Sequence, residues 1–126
     1  MKDSILLEKS YQFALRVVKL CQYLRDEAKE FVLSPNILRD GTNIGAFVEE
    51  ATQAESTADF IRLLAIANKN AFRTDYWLRL LRDGGHITEK QAESMLKDCV
   101  ELKKLLTTSV KTSKKKLDDV PIITDN

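Results

Sequence analysis

The third apolar segment of the chain reads TADFIRLLAIANKNAFRTDYWLRLLR and spans residues 57–82. Its apolar residues cover well over half of a helical wheel, whereas a helix that buries only one side shows a narrower stripe. Ser56 and Asp59 resemble a capping box at its start, with Asp in place of Glu, and Gly84 and Gly85 mark its end. We therefore predict a helix that is either central in the chain or covered on its second face by another subunit.

Three further segments have apolar residues at the spacings of three and four that are typical of helices. These segments span residues 4–30, 35–54 and 88–110. Ser34 followed by Pro35 is a helix start signal, and Thr88 with Gln91 is a capping box. Four helices of about 20 residues with short connections predict an all-α fold, an antiparallel up-down four-helix bundle.

The chain of 126 residues has the length of one domain. We expect the four-helix bundle domain to span residues 1–110, because the helical periodicity fails after that point. Residues 111–126 are expected to form a mobile polar tail, in which lysines are followed by aspartates.

The composition is that of an ordinary folded protein, with 44% hydrophobic residues and a formal net charge of +1. The charges balance over residues 1–110, which argues against strong nucleic-acid binding, since such binding needs clustered Lys and Arg.

Cys21 and Cys99 have no partner at CxxC spacing and are expected to be buried free thiols in a reducing cytoplasm. The sequence shows no targeting signal and no apolar run of about 20 residues, so we expect a cytoplasmic protein without a membrane segment.

The sequence offers no constellation for catalysis or for a cofactor. Metal sites in four-helix bundles need Glu-x-x-His pairs from two helices, but the single histidine, His86, lies in a predicted turn. Glu49 and Glu50 are adjacent and diverge on a helix, so they cannot share a metal. Neither cysteine has a histidine in its own segment, and no phosphate-binding glycine loop is present. We therefore expect no catalytic residues, no metal, no cofactor and no small-molecule substrate.

One stripe of the third helix combines cations with an aromatic residue. Arg62, Lys69, Arg73 and Tyr76 follow at spacings of seven, four and three, so they could contact phosphate and base. Because acidic groups are equally numerous, we favour instead a solvated flank or pairing with acids such as Glu49, Glu50, Asp59 or Asp75. The lysine run at residues 114–116 leaves the same choice between a nucleic-acid contact and a solvated tail.

Residues 39–51 carry a recognisable motif, RDGTNIGAFVEEA. It resembles the central motif of the bacterial four-helix bundle proteins of the 23S rRNA intervening-sequence family, which has Ser-Ile-Gly-Ala-Asn, a hydrophobic residue and Glu-Glu-Ala. The likeness continues through Glu55–Ser56, residues 59–61, Ile66–Ala67 and residues 74–81. Asn43, Phe47 and Asn70 depart from the family's usual Ser, Asn and Glu.

The resemblance implies an up-down bundle that assembles into a ring, commonly a homopentamer, with no established enzymatic activity. A more distant similarity is to the accessory protein of diversity-generating retroelements, a basic pentameric bundle that works with a reverse transcriptase and nucleic acid. We expect the oligomer interface to involve Gly41, Gly45, Phe47, Glu49, Glu50, Leu63, Ile66 and Trp77. The leading hypothesis is a non-catalytic, ring-forming protein whose partner is its own copy. The alternative is a nucleic-acid-binding accessory protein that acts through a basic patch on the ring.

Overall fold

The structure is a computed structural model that describes residues 2–119 of the chain. Over that range it contains four helices and no strand, which confirms the all-α prediction. The helices are α1 (Lys2–Asp26), α2 (Ser34–Ala51), α3 (Thr57–Asp83) and α4 (Glu89–Asp118).

Each helix packs against the next one along the chain, and α4 returns to α1 through a smaller contact. The ion pairs between α1 and α4 show that these two helices are antiparallel, because residues further along α1 pair with residues earlier on α4. Lys9 pairs with Glu101 and Arg16 pairs with Asp98. The helices therefore stand in the order α1, α2, α3, α4 around a shared core, and the α1–α2 side lies across the bundle from the α3–α4 side.

The core takes large apolar side chains from all four helices. Each of these buried side chains contributes about 1.5–3 kcal/mol to folding. The largest include Phe13, Leu24, Ile37, Ile44, Leu63, Leu78, Leu102 and Leu106.

The starts of α3 and α4 follow the predicted capping patterns. The Ser56 hydroxyl accepts a hydrogen bond from the Asp59 amide at 3.1 Å. The Thr88 hydroxyl accepts from the Gln91 amide at 3.0 Å, and the Gln91 side chain accepts from the Thr88 amide at 2.8 Å. These hydrogen bonds confirm both predicted helix starts. The two motifs satisfy amides that the helix itself leaves without partners.

The start of α2 is stabilised by a residue that the sequence reasoning missed. Ser34 begins the helix as predicted, but its side chain does not cap the helix. The buried carboxylate of Glu30 accepts instead from the amides of Val32, Leu33 and Ser34, at 2.9, 2.8 and 2.7 Å. Burial by itself would raise the pKa of Glu30, but these amide hydrogen bonds outweigh it and the pKa is lowered.

Helix α4 continues past the predicted boundary at residue 110 and ends at Asp118, so that boundary is wrong as a helix end. The apolar periodicity fails there because the inner side of α4 lines a cleft at the end of the bundle. The α4 residues that line this cleft are polar: Ser109, Thr112, Ser113 and Lys116. The rest of the predicted tail, residues 120–126, lies outside the described residues.

Candidate interaction surfaces

A buried carboxylate joins α2 to α3. Asp40 is only 1% exposed and accepts hydrogen bonds from three side chains. The donors are Trp77 Nε1 at 2.7 Å, Arg39 Nε at 3.0 Å and Arg73 Nε at 3.1 Å. Two of these donors come from α3, so the carboxylate fixes the register between the two helices.

The same three donors keep Asp40 ionised. Burial by itself would raise the pKa of this carboxyl, but hydrogen bonds from Arg39, Trp77 and Arg73 outweigh it and the pKa is lowered. A carboxylate that is ionised near neutral pH has no proton to exchange there, and its contacts join α2 to α3, so we assign this cluster a structural role. It also directs the indole N–H of Trp77 into its own chain.

Sequence reasoning overlooked Asp40 although a signal was present. Asp40 lies three residues after Ile37 and four before Ile44, so it shares their buried stripe on α2. A buried carboxylate needs hydrogen-bond donors. The indole N–H and the arginine side chains of the neighbouring helix are groups that can donate to it.

Three residues predicted for the subunit interface are already covered within the chain. A Cβ at Gly41 would lie 2.7 Å from Val17 Cγ2, and a Cβ at Gly45 would lie 3.2 Å from the Ser10 carbonyl oxygen. The glycines therefore permit close approach by α1 of the same chain. Leu63 is buried in the core. For all three we replace the predicted interface role by a role inside the subunit.

The remaining predicted interface positions keep some surface. Phe47 and Ile66 are half-buried, and Glu49 and Glu50 are exposed at the end of α2. Trp77 is half-buried.

The predicted cationic stripe on α3 is largely paired with acids of the same chain. Arg62 binds the Asp59 carboxylate at 2.8 Å, and Arg73 binds Asp40. Lys69 is exposed. Two of the three cations are thus engaged, and the acidic partner Asp59 is one of those that the sequence suggested.

The outer side of α3 leaves a row of large apolar side chains uncovered. Phe72, Tyr76 and Leu80 follow one another at intervals of four residues, and Val100 of α4 lines the same shallow cleft as Phe72. Phe72 is 58% exposed, and Lys103 Nζ lies 4.5 Å from the centre of its ring. We call these four apolar residues the α3–α4 face.

A second apolar row lies on the opposite side of the bundle and was not predicted. Tyr11, Leu15 and Val18 lie along one side of α1, next to Leu38 of α2. Phe31, in the connection between these helices, is also 58% exposed. We call these five residues the α1–α2 face. Their spacing of four and three was visible in the sequence but was obscured by the core stripe beside it.

Both cysteines are unsuited to nucleophilic chemistry. Burial raises the pKa of Cys21 to about 11 and that of Cys99 to about 12. The Cys99 thiol donates to the Ala71 carbonyl at 3.1 Å. Among the described side chains of residues 5–119, no three His, Cys, Asp or Glu groups converge on a position for a metal ion. None of the helices in that range has the length and apolar character needed to cross a membrane.

Comparisons with known proteins agree with this architecture. The family described as 23S rRNA-intervening sequence protein matches residues 2–108. A solved structure of a protein with unknown function from the S23 ribosomal protein family of Bacteroides thetaiotaomicron VPI-5482 is 50% identical. The match covers 88% of this chain and 99% of that chain, with a TM-score of 0.87. No curated protein matches the chain. The chain belongs to the 23S rRNA-intervening sequence protein family, as the motif at residues 39–51 predicted.

Proposed function

We propose that the protein is a non-catalytic unit that assembles with copies of itself into a ring. In this assembly the α1–α2 face of one subunit packs on the α3–α4 face of the next. The observation that supports it is the presence of two separate rows of exposed large apolar side chains on opposite sides of one bundle.

The composition of the two faces fits a subunit interface. Isolated exposed apolar residues are normal on a monomer, whereas contiguous rows mark interaction sites. Each face contains two aromatic residues, Tyr11 and Phe31 on one and Phe72 and Tyr76 on the other, and aromatic residues are enriched at interface cores. Both faces therefore have the chemistry that association of copies requires.

The position of the faces favours a ring over a two-fold dimer. A two-fold dimer pairs one patch with itself, whereas two different patches on one subunit pair head to tail. Head-to-tail contacts close into a ring when the rotation between subunits allows it. Five copies, the number that the family resemblance implies, give a particle of about 72 kDa from a chain of 14.4 kDa.

The first experiment measures the mass of the wild-type protein and of two single-face variants by light scattering. Leu15→Glu places a charge on the α1–α2 face and Tyr76→Glu places one on the α3–α4 face. Both side chains are exposed in the single chain, so each variant should fold but remain monomeric. Gln53→Glu, an exposed position outside both faces, is the matched control and should assemble normally.

Mixing the two variants tests the head-to-tail arrangement directly. Each variant keeps one intact face, so an equimolar mixture should form a heterodimer that cannot grow further. A monomeric wild-type protein at micromolar concentration would overturn the proposal. So would a ring that survives both substitutions, or a mixture that stays monomeric when the wild-type protein assembles.

The two buried free cysteines support a further part of the proposal, that the assembly resides in a reducing cytoplasm.

The alternative function, nucleic-acid binding through Arg62, Lys69, Arg73 and Tyr76, has weaker support. Arg62 and Arg73 are engaged with carboxylates of the same chain, which reduces the positive charge that this stripe can offer a phosphate backbone.

A further inference from the structure

The C-terminal half of α4 concentrates positive charge. Between Glu101 and Asp118 the sequence has six lysines and no acidic residue. Lys103 is engaged with the Asp75 carboxylate at 3.0 Å, and Lys116 lines the cleft at the end of the bundle. The other four are exposed, and we call them the lysine cluster: Lys104, Lys111, Lys114 and Lys115.

The helix arranges most of this cluster along one line. At about 100° and 1.5 Å per residue, Lys104, Lys111 and Lys115 fall within about 40° of one another over a length of about 16 Å. Among the side chains that the structure describes, those of residues 5–119, none of the four lysines of the cluster takes part in an ion pair. The continuation of α4 past residue 110 therefore converts a run of lysines into an ordered row.

Among the side chains of residues 5–119, no carboxylate forms an ion pair with the row. Because Lys9 of α1 lies beside Glu101, the first residues of α1 reach the level of about residue 108 of α4, and α4 passes beyond them. At the start of α3, the Asp59 carboxylate is already bound by Arg62. The exposed acids Asp118 and Asp119 lie at the very end of α4.

The groups between the lysines fit phosphate better than lipid. Thr107 and Thr108 are exposed on this part of α4, whereas Ser109, Thr112 and Ser113 line the cleft on its inner side. Lys, Ser and Thr are the usual donors to phosphate oxygens. A helix that lies on a membrane exposes a broad apolar face, whereas Leu117 is the one exposed large apolar residue described between 104 and 118.

We infer that the lysine cluster binds the phosphate backbone of nucleic acid without reading its sequence. The site itself requires only the single chain. Its avidity rests on the proposed ring: rotation about a ring axis keeps equivalent residues at one height, so every copy of the cluster lies at the same level. Several weak clusters at one level bind a long polyanion far more tightly than one does.

The test uses the full chain and a fluorescently labelled single-stranded RNA of about 30 nucleotides, with binding followed by anisotropy from about 50 to 200 mM NaCl. The variant Lys111→Gln/Lys114→Gln/Lys115→Gln removes three cations from exposed helix positions. If all three contact phosphates, the slope of log affinity against log salt falls by about 2. Lys104 is left unchanged because it borders Phe72 of the α3–α4 face.

The matched control is Lys19→Gln/Lys90→Gln/Lys97→Gln, which removes the same charge from exposed positions elsewhere. Its affinity and slope should equal those of the wild-type protein. An assembled wild-type ring that does not bind RNA at about 50 mM NaCl overturns the inference and leaves the proposed assembly intact. An equal loss in both triple variants, or binding to anionic phospholipid vesicles without RNA binding, also overturns it. A monomeric wild-type protein that binds RNA through the cluster supports the site and overturns the ring.

Discussion

Replacing Asp40 by Asn should measurably destabilise the fold without changing its shape. Asn keeps the size of the side chain and can still accept from Trp77 Nε1, which lies 2.7 Å away. The substitution removes the negative charge that Arg39 and Arg73 bind. The NH₂ group of Asn then replaces one carboxylate oxygen and faces an arginine N–H, which is also a donor. Both arginine side chains are more than half exposed, so water compensates for part of the lost attraction.

The expected size of the effect follows from these contacts. A hydrogen bond to a charged group contributes about 1.5–3 kcal/mol, and exposed ion pairs add about 0–1 kcal/mol. We therefore expect Asp40→Asn to lower the free energy of unfolding by about 1–3 kcal/mol. Asp40→Ala, which also leaves the Trp77 N–H without an acceptor, should cost about 3–5 kcal/mol.

Urea unfolding followed by the fluorescence of Trp77, the single tryptophan, measures this difference. If the wild-type protein assembles, Asp40 and its variants should be compared in chains that also carry Tyr76→Glu, because association makes stability depend on protein concentration. Asp83→Asn removes an exposed carboxylate that binds Arg82 and should leave the unfolding midpoint almost unchanged. A loss below about 0.5 kcal/mol for Asp40→Asn would contradict the assignment of Asp40 as the link between α2 and α3.

The pH dependence gives an independent check. Since the pKa of Asp40 is lower in the folded chain than in the unfolded chain, its contribution is fully present above the unfolded value of about 3.9. The contribution is lost as the pH falls through the folded value. The stability difference between wild type and Asp40→Asn should therefore be full at pH 7 and shrink at pH values below about 4. A difference that stays constant down to pH 2 would contradict the charged state of Asp40.

Two further substitutions test contacts that position α2. Gly41→Ala should destabilise the chain by about 1 kcal/mol in urea unfolding despite the better helix propensity of Ala, because the new Cβ would meet the fully buried Val17. The same substitution should cost less in a Val17→Ala background, where the clashing methyl groups are absent. Glu30→Gln should cost about 1–2 kcal/mol at pH 7, with the difference shrinking in acid because the pKa of Glu30 is lowered; an unchanged unfolding midpoint would mean that the three amide contacts contribute little.

The parts of the fold that the sequence predicted correctly are those that depend on neighbouring residues. The starts of α3 and α4 rest on motifs of four residues, Ser56 to Asp59 and Thr88 to Gln91, and both were identified. The start of α2 rests on Glu30, which lies outside the helix and reaches forward to its amides. A carboxylate four residues before the helix lies outside the usual capping positions, so the sequence pattern indicated Ser34 as the cap.

The missed features depend on contacts between distant residues. Asp40 and Trp77 are 37 positions apart, and neither residue alone reveals the other as its partner. The true end of α4 was missed for a related reason. Apolar periodicity reports a helix only where its inner side meets a packed core, and past residue 110 the inner side of α4 meets an open cleft.

The sequence offered two explanations for the apolar excess of α3, a central position and a second subunit, and the first accounts for part of it. The helix is central, because it packs against both α2 and α4, and these contacts bury much of its circumference. They still leave Phe72, Tyr76 and Leu80 uncovered on its outer side. A row of this kind on one helix would fit a two-fold dimer equally well. The second row, Tyr11, Leu15 and Val18 on the far side of the bundle, is what makes a head-to-tail ring the simpler arrangement, because each row then covers the other.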